Sequence, residues 1–187
     1  MPENDEPAEP KPAYQHAARK RIIKLNLTSL IFFAAEDLSL HKALENNTAV
    51  QFGLFHRYTS NSNAYANEFA ITPEFRFYLD EYNAVPTGFY IAPFLRYIYS
   101  AGASKMQFYD LNKTEIKKEI TEIKYGGGIS VGYQYTNIYG YSFDSFASFG
   151  RFGGSHTDNY SDLNYKSNWD LDFQPALYYG ISIGYAF

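Results

Sequence analysis

From Arg21 to the C-terminus, apolar residues take every second place, the period of strands with one greasy face and one polar face. The last stretch shows it most clearly. In Gln174–Phe187, Leu177, Tyr179, Ile181, Ile183, Tyr185 and Phe187 alternate with Ala176, Gly180, Ser182, Gly184 and Ala186, and the chain stops on the aromatic itself. A soluble domain has little reason to end an amphipathic strand on an exposed Phe. A barrel closing its last strand in lipid does.

The same alternation predicts seven further strands: Arg21–Leu30, Asp37–Leu44, Ala49–Ser60, Glu68–Leu79, Gly88–Ser100, Glu122–Tyr135 and Tyr141–Arg151. Pro73 and Pro93 lie inside two of them. A proline removes a ladder bond, so bulges are expected there. The links after strands two, four and six are short (Glu45–Thr48, Asp80–Thr87, Thr136–Gly140). Those after strands three, five and seven are long (Asn61–Asn67, Ala101–Thr121, Phe152–Asp172), and only the first outer link, at Ala34–Glu36, breaks the rule. Short periplasmic turns and long outer loops are the expected asymmetry of a bacterial barrel, with both termini periplasmic. Within the third outer loop, Leu111–Ile120 fits a helical turn or a strand extension equally well. The fold class read from the pattern is all-β: an eight-stranded antiparallel transmembrane up-and-down barrel over residues 21–187. Residues 1–20, rich in Pro, Glu and Asp, read as a flexible periplasmic tail.

Eight strands enclose an interior just wide enough for side chains. The inward parity holds Lys24, Asn26, Gln51, Arg57, Glu74, Arg76, Arg96, Gln134 and Asp144. Buried charges must pair, so Lys24, Arg57, Glu74, Arg76, Arg96 and Asp144 are expected to form a lumen polar network. Inward Gly126, Gly128, Gly132, Gly180 and Gly184 leave room for large side chains opposite. Gly126-Gly127-Gly128 is placed at a strand start.

Composition narrows the function. Of 187 residues, 19 are Tyr and 16 Phe against a single Trp. Tyr suits sites where one end of a side chain is wet and the other apolar. A net charge of −4 implies no general affinity for nucleic acid, and without cysteine there is no disulfide, thiolate metal site or Cys nucleophile. Mean hydropathy is −0.38, which is compatible with a barrel whose lumen and loops are polar. No apolar run reaches membrane-helix length. Met1–Asp5 has neither the basic start nor the apolar core of a leader, so the membrane reading expects a processed or shortened start. Among His16, His41, His56 and His156, His41 shares a strand face with Ser39, which makes a Ser–His pair geometrically possible, while His56 falls on the apolar parity near the outer end of strand three. His156 is placed in a polar loop, Gly153–Asp158. No metal-ligand spacing or cofactor motif stands out.

Leu25–Leu30, Ile71–Leu79 and Gly88–Leu95 resemble the opening, fourth and fifth strands of a family of small outer-membrane barrels of uncharacterised function, OmpA/OmpX-like in architecture. The resemblance covers Ile22–Phe187. It implies fold and location, makes Pro73 and Pro93 part of a pattern, and brings no catalytic residues.

The function expected is a structural or accessory subunit of a larger outer-membrane assembly, in contact with outer-membrane lipid and without nucleic acid, cofactor or metal. Tyr185 and Phe187 are its expected insertion signal. The alternatives are an envelope lipid hydrolase using Ser39 and His41, and a lipocalin-like binder with apolar residues pointing inward.

Overall fold

A computed structural model describes residues 20–44, 47–79, 87–107, 115–160 and 165–187. The tail assigned to residues 1–20 falls outside these residues except for Lys20, as do parts of four predicted links (Glu45–Thr48, Asp80–Thr87, Ala101–Thr121 and Phe152–Asp172). Eight strands form one closed antiparallel ring in sequence order. They are β1 (Arg21–Asn26), β2 (Glu36–Ala43), β3 (Thr48–Ser60), β4 (Ala64–Tyr78), β5 (Gly88–Gln107), β6 (Glu115–Thr136), β7 (Tyr141–Tyr160) and β8 (Tyr165–Ala186). A short helix, α1 (Leu27–Phe33), joins β1 to β2. The ring closes at the very end of the chain: Phe187 N donates to Arg21 O at 2.8 Å, and Arg21 N donates to Phe187 O at 3.3 Å.

The period-two pattern sorts side chains as expected. Lys24, His41, Arg76, Gln134, Asp144 and Ser182 are buried inside the ring, while Ile23, Leu40, Phe52, Phe77, Val131 and Ile183 are exposed on its outer wall. Exposed tyrosines border this apolar band on both sides. Tyr133, Tyr135, Tyr141 and Tyr185 stand near the end that carries the termini, and Tyr58, Tyr97, Tyr99 and Tyr125 near the opposite, distal level. Inward glycines face large side chains. A Cβ at Gly132 would lie 2.6 Å from the Tyr90 ring, one at Gly180 2.7 Å from Phe146, and one at Gly126 2.8 Å from Phe152.

The strand ends differ from the pattern's. β1 stops at Asn26, whose side chain accepts from Thr28 N (3.0 Å) and Ser29 N (3.3 Å) and so caps α1. Leu27–Leu30, predicted as strand, is therefore helical. Its apolar residues at 30–33 point outward, Thr28 and Ser29 point inward, and Ala34 ends it in the left-handed region at φ 48°. The expected long outer loops are largely strand. β5 continues to Gln107, β6 begins at Glu115, β7 reaches Tyr160 and β8 starts at Tyr165. Residues 115–120 are thus strand extension rather than a helical turn, while 111–114 lie outside the described residues. Gly126–Gly128 sits within β6 rather than at its start. Between β3 and β4 only Asn61–Asn63 remain as a link, closed by Asn61 Oδ1 accepting from Ala64 N at 2.7 Å.

Neither proline introduces a bulge. Ile71 faces Tyr97, Glu74 faces Phe94 and Phe77 faces Ile91, so the register is the same on both sides of Pro73 and Pro93. Pairing is continuous across Pro73 on the β3 side and across Pro93 on the β6 side. It lapses only in the β4–β5 seam, where both missing N–H groups point. The one register shift among the described pairs lies in β7–β8, between Phe152 and Gly154.

Glycine packing gives a direct test. Gly132→Val should destabilise the barrel by about 1–3 kcal/mol through overpacking against Tyr90. Gly53→Ala, whose Cβ would find 3.6 Å of room, should stay within about 0.5 kcal/mol of wild type. Urea unfolding in detergent, followed by circular dichroism, compares them.

Candidate functional site

Close to the end that carries the termini, inward side chains of six strands converge into a plug. Asp144 on β7 is its centre. Its Oδ2 accepts from Lys24 Nζ at 2.6 Å and from Arg76 Nη1 at 2.7 Å, and its Oδ1 accepts from Tyr90 OH at 3.0 Å. Gln134 Oε1 accepts from Lys24 (2.6 Å), Arg76 (3.1 Å) and Tyr78 OH (3.1 Å). Lys24 also donates to Gln51 Oε1 at 3.0 Å. Arg76 Nε pairs with Glu74, and its guanidinium lies 4.0 Å from the centre of the Tyr90 ring. Two cations and two carboxylates leave the plug neutral, the condition for burying charge in a narrow interior.

Four of the six predicted network residues meet here: Lys24, Glu74, Arg76 and Asp144. Arg57 does not. It lies nearer the distal mouth and pairs with Glu68 at 2.6 Å. Arg96 stands between the two levels, with its guanidinium 5.6 Å from the Phe55 ring centre and 4.8 Å from that of Tyr178. Tyr90 was missing from the inward candidates, although its parity, opposite to Phe89 and Ile91, places it inside. His41 also reaches the plug layer. Among the described residues neither ring nitrogen of His41 meets a partner at hydrogen-bond geometry, so no bond joins it to Ser39. Its ring stands edge-on to Tyr78, with centroids 6.3 Å apart. Tyr185 and Phe187 are half exposed on the outer wall, and the Tyr185 ring meets Tyr141 edge-to-face at 6.0 Å.

Above the plug lies a small cavity of about 70 Å³, lined by Asn26, Asp37, Phe55, Arg96, Tyr178 and Ser182 among others. Above that, the distal halves of β4–β8 enclose a larger one of about 810 Å³, with Ile98, Phe152 and Tyr178 among its walls. Among the described residues the lumen is therefore a cup, closed near the termini and open at the far end.

On the tall distal strands, His156 lies within β7 rather than in a loop. It stacks on Trp169 at 5.1 Å and bonds Asp158 at 3.1 Å. Lys118 Nζ meets the other Asp158 oxygen at 2.9 Å. Burial pushes the Asp158 carboxyl up, but the Lys118 and His156 bonds outweigh it, and the group titrates below the usual carboxylate range. The same bond to Asp158 raises Lys118. Among the described residues, no group of His, Asp and Glu could hold a metal ion.

Two outcomes are expected. Asp144→Asn, which leaves Lys24 and Arg76 without their shared charge, should cost about 3–5 kcal/mol, measured by denaturant unfolding. The Asp158 contribution is complete above the unfolded carboxylate pKa and vanishes as pH falls through the lower folded one. The protection factors of amides in distal β6 and β7, which correct for the intrinsic pH dependence of exchange, should therefore fall below about pH 4, and Asp158→Asn should remove that dependence.

Comparison with known proteins adds the following. No curated protein matches the chain. A solved structure, a major outer membrane protein from Thermus thermophilus, is similar at 11% identity and a TM-score of 0.48, over 89% of this chain and 99% of that one. A family profile spans residues 11–187, every strand of the ring included, and the chain belongs to that family, described as "Protein of unknown function (DUF3575)".

Proposed function

We propose that this chain is an integral barrel of a Gram-negative outer membrane, OmpA/OmpX-like in architecture, that serves as a structural or accessory component of a larger envelope assembly. The observation that carries the reading is the outer wall. On β6 the outward residues run Tyr125, Gly127, Ile129, Val131, Tyr133 and Tyr135. A stretch of roughly ten residues between aromatic girdles is what a tilted strand needs to cross a bilayer. Large apolar side chains left exposed around the whole ring are costly in water and at home in lipid. The short connections and the termini then face the periplasm, and the tall ends of β5–β8 project outward.

The closed floor of the cup supports a non-conducting role, since Lys24, Arg76, Gln134 and Asp144 are buried there and bonded to one another across the interior. A lipid hydrolase built on Ser39 and His41 lacks the nucleophile–base hydrogen bond it needs, and His41 is sealed from the lipid face. A lipocalin-like binder would point its apolar side chains inward, whereas the large exposed ones here point out.

In planar bilayers the purified chain should insert without stepwise conductance. Reproducible single-channel steps from wild type would overturn the closed floor. Extraction of the native membrane in mild detergent should bring the chain out with partner proteins, and a clean monomer would end the accessory reading.

A further inference from the structure

We propose that the cavity above the plug is a binding site for a small zwitterion, an ammonium and an oxyanion held a short distance apart, with the rest of the ligand rising into the cup. The proposal does not depend on the accessory role.

Three charged side chains line this cavity, Asp37, Glu74 and Arg96; Glu74 is already paired with Arg76 in the plug, which leaves Asp37 and Arg96. Arg96 is on β5. Its Nε is buried with no hydrogen-bond partner, and among the described residues the guanidinium has no ion pair. It is held instead between the rings of Phe55 and Tyr178. Aromatic faces orient a guanidinium but accept none of its in-plane hydrogen bonds. A half-buried guanidinium with its Nε donor buried and unused is poised for a carboxylate or phosphate, which Arg recognises in the plane of its fork.

Asp37, near the start of β2, lines the same cavity. Asn26 Nδ2 (2.8 Å) and Ser29 Oγ (2.9 Å) both donate to its Oδ2, which fixes the carboxylate and leaves Oδ1 for a ligand. The two charges form no ion pair with each other, in contrast with the plug below, where every carboxylate meets a cation directly. The fold thus lines one space of about 70 Å³ with a cation and a carboxylate that do not pair with each other. A water needs only some 10–15 Å³ of such space, so the gap admits a ligand headgroup. The large cavity of about 810 Å³ lies above it, and Tyr178 lines both. An α-amino acid and a phosphoethanolamine headgroup share the required chemistry.

The test titrates the full chain in detergent micelles with glycine and with phosphoethanolamine, followed by NMR. Acetate and methylammonium serve as single-charge controls. Either zwitterion should bind saturably and more tightly than both controls. Tighter phosphoethanolamine binding assigns a lipid headgroup, and tighter glycine binding assigns a free amino acid. Arg96→Gln and Asp37→Asn, each checked for β-sheet by circular dichroism, should weaken binding roughly tenfold or more. The proposal fails if neither zwitterion saturates wild type by about 10 mM, if acetate binds as tightly as glycine, or if both folded variants bind like wild type. Should the variants misfold, the wild-type comparison with the controls decides alone.

Discussion

One carboxylate organises the interior. Asp144 takes hydrogen bonds from an ammonium, a guanidinium and a phenol that come from three other strands, so it ties together parts of the ring far apart in sequence. An eight-stranded ring leaves no room for solvent to screen charges at this level, and they have to balance among themselves. Lys24, Arg76 and Glu74 supply that balance. The space they need comes from the glycines on the facing walls. Gly184 lies against the Lys24 stem, and Gly132 gives way to the Tyr90 ring whose hydroxyl reaches Asp144. Electrostatics and volume are settled by the same few positions.

Much of this was legible in the sequence because the strand period is two. Once Leu25 or Phe77 is placed outside, Lys24 and Arg76 must lie inside, and the parity of every neighbour follows. Parity says nothing about height along the barrel. Arg57, Arg76 and Arg96 share the inward face, yet only Arg76 reaches Asp144, because register sets the level at which each appears. Strand ends were hidden for another reason. Beyond the apolar band, outward positions such as Lys117, Glu119 and Ser155 are polar, and the alternation that marks a half-buried strand fades while the backbone pairing continues. At the other end of the scale, Leu27–Leu30 alternates as a strand would and is helical, because Asn26 caps it and Thr28 Oγ1 accepts from Ile181 N at 3.0 Å in place of a strand partner.

The two prolines show how a closed sheet tolerates missing donors. Their gaps fall on one seam and leave the neighbouring ladders whole, so the loss is confined rather than spread. The register survives because each gap is bracketed by intact pairs.

The short length of β1 has a consequence for how the ring is made. It meets β8 only from Ile22 to Asn26, opposite Ser182–Ala186, and it meets β2 over a run of similar length. The β5–β6 and β6–β7 hairpins pair over most of their length and join neighbours in the chain. The β1–β8 seam instead joins the two extremes of the sequence, with the largest loop to close and few ladder bonds to reward it. It is the natural last step of assembly and the first place to part under strain. The C-terminal Phe187, whose backbone bonds Arg21, is the latch of that step.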